Sequence, residues 1–381
     1  MPERPQSELV LIKHPASLRQ MVGELLQEPI VAVDTESNSL YAYQEQVCLI
    51  QFSNPKVDYL VDPLVLDDLS PLAPLFENPD IEKVFHAAEY DLLCLKRDFG
   101  FHFANLFDTM VAARILGRSG VGLGSMLEEA FGVHLDKRFQ RANWGQRPLP
   151  PYLMDYARLD THYLIQLRNR LLPELQQRQL LALAQEDFLR QALAPATNGH
   201  TDNKKNDMCW RVSGSYDLPA SQAAVLLELC RFRDQQARWL NRPVFKVISD
   251  STLLTVARSQ PQGMGELQKI TGMKDHHLQR YGPGMLEAIR AGQESGPVYP
   301  PRPQRPNDAM LGRLEALRRW RKLTGEKMGV NSDVVLPRDL MHTLAEQYPR
   351  QPDELAQVMG HVPWRLEHFG GQILKILNAK D

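Results

Sequence analysis

Three short stretches, far apart in the chain, hold the residue types that phosphoryl chemistry uses. Asp34 and Glu36 end the β-branched run IVAVDTES and are separated by one residue. Alternate side chains of a strand leave the same face, so the two carboxylates are forced together. Close like charges repel unless protonated or bridged by a cation, and oxygen-only ligands suit Mg²⁺ or Mn²⁺ better than zinc. A lone Asp-x-Glu is more often an acidic turn after a strand. Asp91, in HAAEYDLL, falls where a strand gives way to a helix. A helix N-terminus favours a carboxylate there, whether as a ligand or as a plain cap. In DYARLDTHYL, Tyr156 and Asp160 stand four apart, which stacks them on one helix face. Alone, that pair also fits the surface of an amphipathic helix.

The elements that must carry these residues alternate between strand and helix. IVAVDTES, VCLIQFS and VDYLVD read as apolar strands, and their short separations suggest antiparallel hairpin partners of the first. DIEKVFHAA reads as a strand entering a turn, while YDLLCLKRDFG and DTMVAARILG show apolar residues at helical spacing. A mixed sheet flanked by helices results. From Pro195 the stretch APATNGHTDNKKND is polar and turn-rich, as a linker is.

Beyond that linker the chain reads as helical, and it contains a repeat. Shifting residues 226–290 by 88 positions lays them on 314–378 without a gap. Leu229 falls on Leu317, Arg231 on Arg319, Phe232 on Trp320, Arg233 on Arg321, Gly272 on Gly360 and Gly282 on Gly370. Matched apolar positions and glycines imply two copies of one small helical domain, with proline-rich GPVYPPRPQRPND between them. The expected layout is an α/β domain over 1–195, a linker over 196–215, helical domains over 216–294 and 308–381, and a second linker over 295–307.

With 43% hydrophobic and 24% charged residues over 381 positions, neither disorder nor a coiled coil dominates. The start MPERPQSELV lacks a signal-peptide pattern, and no run of about 18 apolar residues occurs. A cytoplasmic protein with no membrane partner is the expectation. Cys48, Cys94, Cys209 and Cys230 lack metal or redox spacing, so reduced thiols are expected. Up to residue 195 there are 18 basic and 26 acidic side chains, and 26 and 20 beyond. An acidic front suits carboxylates awaiting metal and a basic back suits a polyanion, although both are also ordinary solvated surfaces.

Taken together, VDTE, HAAEYD and YARLD follow the order and spacing of the three exonuclease motifs, and the chain resembles the DEDD exonuclease superfamily. Tyr156, four residues before Asp160, matches its tyrosine subclass. The stretches VAVDTESNSLYAYQEQVCLIQFS, VDYLVDPL and FDTMVAARILG, with Lys137, Arg141, Trp144, Arg147, Pro148 and Leu149, are similar to the ribonuclease D family. The two repeats resemble HRDC domains, the helical modules that follow the nuclease in that family. Leu153, Arg158 and Leu159 depart from the family's usual pattern around the last motif.

The resemblance implies an RNase H-like α/β exonuclease domain followed by two all-α HRDC domains. It implies a 3′→5′ exoribonuclease that releases nucleoside 5′-monophosphates with two divalent metal ions, Mg²⁺ or Mn²⁺, and no small-molecule cofactor. Asp34 would bridge both ions, Glu36 and Asp160 would complete the water-activating site, Asp91 would support the leaving-group side, and Tyr156 would orient the water. The implied partner is RNA, above all tRNA precursors with 3′ extensions. Leu40 and Tyr41 would wedge against the terminal base, and His86 would touch a phosphate, though structural packing suits each as well. Lys137, Arg138, Arg141 and Arg147 interleave with Phe139 and Trp144 as in a strand-binding groove. The HRDC copies, with Arg313, Arg318, Arg319, Arg321, Lys322 and Lys327, are expected to add RNA affinity. Two other readings stand beside this one: a DNA 3′→5′ exonuclease, and an RNA-binding adaptor without activity.

Overall fold

The structure is a computed structural model, and it describes residues 7–196, 209–301 and 307–379. These fall into two compact units: residues 7–37, 47–196 and 307–379 form one, and residues 38–46 with 209–301 form the other.

The first unit is built on a six-stranded mixed sheet. In chain order its early elements are β1 (Glu8–Ile12), α1 (Pro15–Leu25), β2 (Ile30–Ser37), β3 (Val47–Ser53) and β4 (Val57–Val61). Next come α2 (Ala73–Glu77), β5 (Glu82–Phe85), α3 (Glu89–Phe99), β6 (Leu106–Asp108) and α4 (Thr109–Ile115). Four helices finish the α/β domain: α5 (Leu123–Phe131), α6 (Pro151–His162), α7 (Leu164–Gln177) and α8 (Leu181–Leu193). The strand order is β1-β4-β3-β2-β5-β6. β2, β3 and β4 pair antiparallel in succession, as their short connections suggest, while β1, β5 and β6 pair parallel to their neighbours. VDYLVD therefore pairs with the second strand and not with the first. Val31, Ala32 and Val33 of β2 are fully buried, because helices cover both faces of this central strand. Two strands escaped the sequence reading: ELVLI, one short edge strand, and Leu106–Asp108, three residues that run straight into a helix.

Two helical domains follow. The first, in the second unit, comprises α9 (Ala220–Trp239), α10 (Val244–Val247), α11 (Asp250–Ser259), α12 (Met264–Leu267) and α13 (Asp275–Glu294). The other packs with the α/β domain and comprises α14 (Asp308–Met328), α15 (Ser332–Val335), α16 (Arg338–Gln347), α17 (Pro352–Met359) and α18 (Pro363–Leu377). The 88-residue shift carries each helix start of one copy onto the other. It carries side-chain roles too: Arg233 donates to the Ile248 carbonyl at 3.1 Å and Arg321 to the Leu336 carbonyl at 2.8 Å. Each copy also turns out of its third helix through a left-handed residue, Gln260 in one and Tyr348 in the other.

Two expectations need correction. The linker drawn to residue 215 ends earlier, since Cys209, Trp210, Val212 and Ser215 are buried in the first helical core. Too few apolar residues stand in that polar stretch to give a period, so only the packed core reveals them. Residues 197–208 of that linker, and 302–306 of the next, lie outside the described residues. Cys209 and Cys230 are paired as a disulfide with Cα atoms 5.9 Å apart, while Cys48 and Cys94 are free and buried. Spacing of 21 residues carries no motif; the fold brings the pair together.

Candidate active site

Helix α6 is the element that brings the third acidic stretch to the first. Pro151 starts it, and Leu153, Tyr156, Ala157, Asp160 and Thr161 form the stripe it buries against β2, β3 and β4. A buried ionic network fixes its rotation. Arg158 donates to Asp58 of β4 through Nε and Nη2 at 3.0 and 2.7 Å, and the His162 ring lies 3.1 Å from the same carboxylate. Ser53, 2.6 Å from Asp58, also meets Thr161 at 2.7 Å. Burial would raise the Asp58 carboxyl, but hydrogen bonds from His162, Ser53 and Ser7 outweigh it and hold the group below its ordinary value. Arg158, one of the departures from the family pattern, is thus the residue that ties α6 to the sheet.

The turn that presents Asp91 is held just as closely. Ala87 has φ of 62°, a left-handed conformation rare for a residue with a side chain. The fully buried Asp108 carboxylate stabilises it by accepting the amides of Ala87 at 3.0 Å and Ala88 at 2.8 Å. Asp108 also caps α4, taking the amides of Met110 and Val111. His86 points into this turn, its Nδ1 2.9 Å from Thr109 Oγ1, and burial lowers its pKa while the Asp108 charge opposes the shift.

These elements bring together residues from three stretches of chain. One carboxylate oxygen each from Asp34, Glu36 and Asp160 lies within 4.8 Å of the others, the only such group among the described residues. The Thr35 hydroxyl donates to Asp91. Asp91 and Asp160 are each 8% exposed, whereas Asp34 and Glu36 are half-buried and open to solvent. Burial, followed by the charges of Asp91, Asp160 and Glu36, raises Asp34 well above the carboxylate range, and burial with Asp160 and Asp91 does the same to Glu36. Burial carries Asp91 to about 7 against the lowering Thr35 bond, and burial with the Asp91 charge carries Asp160 to about 8. Tyr156 is pushed above its ordinary value by burial and then by Asp160, Glu36 and Asp34, so it stays protonated at neutral pH.

Four neighbouring carboxylates with raised pKa values, and no Lys or Arg among the causes of those shifts, fit a divalent cation. Gln51 agrees with that reading. It pairs with Asp34 across β2 and β3, so it shares that face, and it is fully buried with neither amide atom hydrogen-bonded.

Other expected site residues divide. Lys137 and Arg141 are exposed, in keeping with a groove. Arg138 is exposed but folds back on Asp136 at 2.6 Å. Trp144 is not an exposed stacking platform: at 1% exposure it packs with Leu49, Leu60 and Tyr156. Arg147 spends its guanidinium on both Asp62 oxygens at 2.7 Å and on the carbonyls of Cys48, Trp144 and Gln146, which leaves little for a phosphate. Alternating basic and aromatic residues look the same in a groove wall and in a core, and burial alone distinguishes them. Leu40 and Tyr41 lie in the segment that groups with the first helical domain, where Lys246 Nζ stands 3.9 Å from the Tyr41 ring centre. In the other helical domain, Arg313 and Arg321 donate to the carbonyls of Ala345 and Leu336, which leaves Arg318, Arg319, Lys322 and Lys327 on the surface. The sequence reading missed Asp58, Asp108 and His162; each is a buried polar residue whose role depends on distant backbone.

Comparison with known proteins agrees with this geometry. A family described as 3′-5′ exonuclease matches residues 9–176, and the HRDC domain family matches 222–289 and 310–377. Ribonuclease D of Pseudomonas paraeruginosa is 30% identical over 379 residues, covering 98% of both chains. Protein RRP6-like 2 of Arabidopsis thaliana is 30% identical over 76% of this chain, which spans 34% of that longer protein. The crystal structure of Escherichia coli RNase D, an exoribonuclease involved in structured RNA processing, superposes with a TM-score of 0.66 at 26% identity, covering 96% of this chain and 98% of that one. Near-complete coverage by full-length relatives, the three-part domain order and the clustered carboxylates lead to one conclusion: the chain belongs to the ribonuclease D family of 3′→5′ exoribonucleases.

Proposed function

We propose that Asp34, Glu36, Asp91 and Asp160 hold two divalent cations, Mg²⁺ or Mn²⁺, and that with Tyr156 they hydrolyse the last phosphodiester at an RNA 3′ end, releasing nucleoside 5′-monophosphates. The observation that carries this reading is the convergence of three carboxylates within 4.8 Å, with Asp91 close enough to raise the others. When bound, the cations supply an acidified water and neutralise charge on the phosphoryl oxygens. The chain's own part is to position. Asp34 and Glu36 offer oxygens from one strand face, Asp160 meets them from α6, and Asp91 closes the set from α3. The protonated Tyr156 phenol orients the attacking water as a donor or acceptor, and its raised pKa makes it a poor general base.

The exposed Lys137 and Arg141 take the RNA backbone, His86 stands near the terminal phosphate, and Leu40 and Tyr41 wedge against the last base, as the family resemblance suggests. The substrate we assign is a 3′-extended tRNA precursor, processed in the cytoplasm. The test is digestion of such a precursor, beside matched single-stranded RNA and DNA, with and without EDTA. Mononucleotides released from RNA only when divalent cation is present support the reading, and EDTA-resistant cleavage or a preference for DNA overturns it.

A further inference from the structure

Helix α8 makes polar contacts on two sides. On one side it braces the elements that aim Asp91. Gln191 Nε2 donates to Asp108 at 3.0 Å, the same carboxylate that holds the strained Ala87 turn. Lys96 of α3 donates to the carbonyls of Ala192 at 2.6 Å and Ala194 at 2.5 Å, which ties the helix bearing Asp91 to the end of α8. Phe188 packs on Phe107 of β6 with ring centres 4.9 Å apart.

On its other side α8 receives the second helical copy. Glu186 accepts the amides of Trp364 and Arg365 at 2.7 and 3.2 Å, so a side chain of the α/β domain satisfies the first turn of α18. The fully buried Arg365 donates to Glu186 and, through two nitrogens at 2.9 Å each, to Asp187, and its remaining donors reach the carbonyls of Val334 and Val335. Val334 itself lies in the core of the α/β domain. Gly117 adds a third contact: its φ is 76°, and a Cβ there would collide with the Gly329 carbonyl.

We propose that the second HRDC copy is a positioning element of the carboxylate site, acting from Arg365 through α8 to the turn and helix that present Asp91. This rests on the reading of Asp91 as a metal-holding carboxylate. A turn in a disfavoured conformation persists only where its surroundings over-determine it, and α8 supplies part of that determination. The first copy lacks the device, because the 88-residue shift places a half-buried histidine, His277, which meets the Gly272 carbonyl of its own domain, where the second has Arg365.

The test uses full-length protein and a short single-stranded RNA that needs few contacts beyond the site. Arg365→Met undocks the copy at its charged anchor, Gly117→Ala undocks it elsewhere, and Gln191→Leu cuts the brace while leaving the Arg365 anchor intact. Each is expected to lower kcat on the order of tenfold with KM changed less than about twofold. Each is also expected to speed amide exchange across residues 86–91, a readout independent of activity. A rise in KM alone, with kcat kept, would make the copy a substrate-holding module and overturn the proposal. Unchanged protection at 86–91 in all three variants also overturns it. Lost protection with kcat intact refutes the assigned role of Asp91, and with it the catalytic half of the inference. A variant that fails to fold by circular dichroism is replaced by one of the other two.

Discussion

Three groups of buried and half-buried carboxylates sit in one compact unit and meet different fates. Glu186 and Asp187 are neutralised by a buried arginine, and Asp58 is paired with an arginine and lies in hydrogen-bond contact with a histidine. Asp34, Glu36, Asp91 and Asp160 have one another, the donor Thr35 and, beside Asp91, the further negative charge of Asp108, with no basic group among the causes of their shifts. Burying an ion without compensation is costly, so acids that build the fold bring a partner from the chain. Acids that wait for something from solvent do not. The contrast separates structural from functional carboxylates without reference to any relative.

Substitutions sharpen that contrast, because the two classes respond with opposite signs. The largest effect is expected from Asp34→Asn: loss of activity by more than about a thousandfold in a gel assay of a labelled oligonucleotide, with metal-free thermal stability raised. Activity near wild type in purified Asp34→Asn would break the comparison. Next in size, Arg365→Met strands Glu186 in the interior and should cost about 3–5 kcal/mol of docking or folding stability in a denaturant titration. His277→Met, at the matching place of the first copy, should cost far less, about 1 kcal/mol, since its ring meets the Gly272 carbonyl of its own domain. Equal costs at the two positions would show that the copies are docked alike.

The pH response gives a smaller separation. Asp91 and Asp160 have folded pKa values raised to about 7 and about 8, so their favourable contribution is complete below the unfolded carboxylate value and is lost as pH rises through those two. Metal-free protein should therefore melt at lower temperature at about pH 9 than at about pH 6, and added Mn²⁺ should erase the difference. Asp58 runs the other way: its lowered value gives stability that is present above the unfolded pKa and lost as pH falls through the folded one. Asp58→Asn should flatten the acid limb of the melting profile and leave the alkaline limb alone. The smallest difference between the copies is expected from Arg233→Met and Arg321→Met, about 1–3 kcal/mol each and similar in the two, because both donate to the matching carbonyl of their own domain.

Much of this was legible in the chain itself. Asp34 and Glu36 declare themselves by strand alternation, Tyr156 and Asp160 by helical spacing, and the repeat by a gapless register that survives in the matched Arg233 and Arg321. What the sequence hides is whatever depends on a distant surface. Trp144 and Arg147 had the composition of a binding groove, yet Trp144 is 1% exposed and Arg147 is claimed by Asp62. Arg158 looked like a departure from pattern because its partner, Asp58, lies 100 residues away on another strand. Arg365 sits in an ordinary helical stretch, and nothing local marks it as the buried anchor of a domain. β1 and β6 were missed because five and three residues give too little periodicity to read.

The central claim is that the four uncompensated acids are a cation site, and calorimetric titration of metal-free protein with Mn²⁺ near neutral pH tests it most directly. The account predicts saturable binding of two equivalents, accompanied by proton release that shows as a dependence of the measured heat on the buffer, because carboxylates with raised pKa values must give up protons to the metal. It predicts that Asp34→Asn and Asp160→Asn each weaken that binding sharply. Binding of equal affinity in wild type and both variants, or no saturable binding at all, would contradict it.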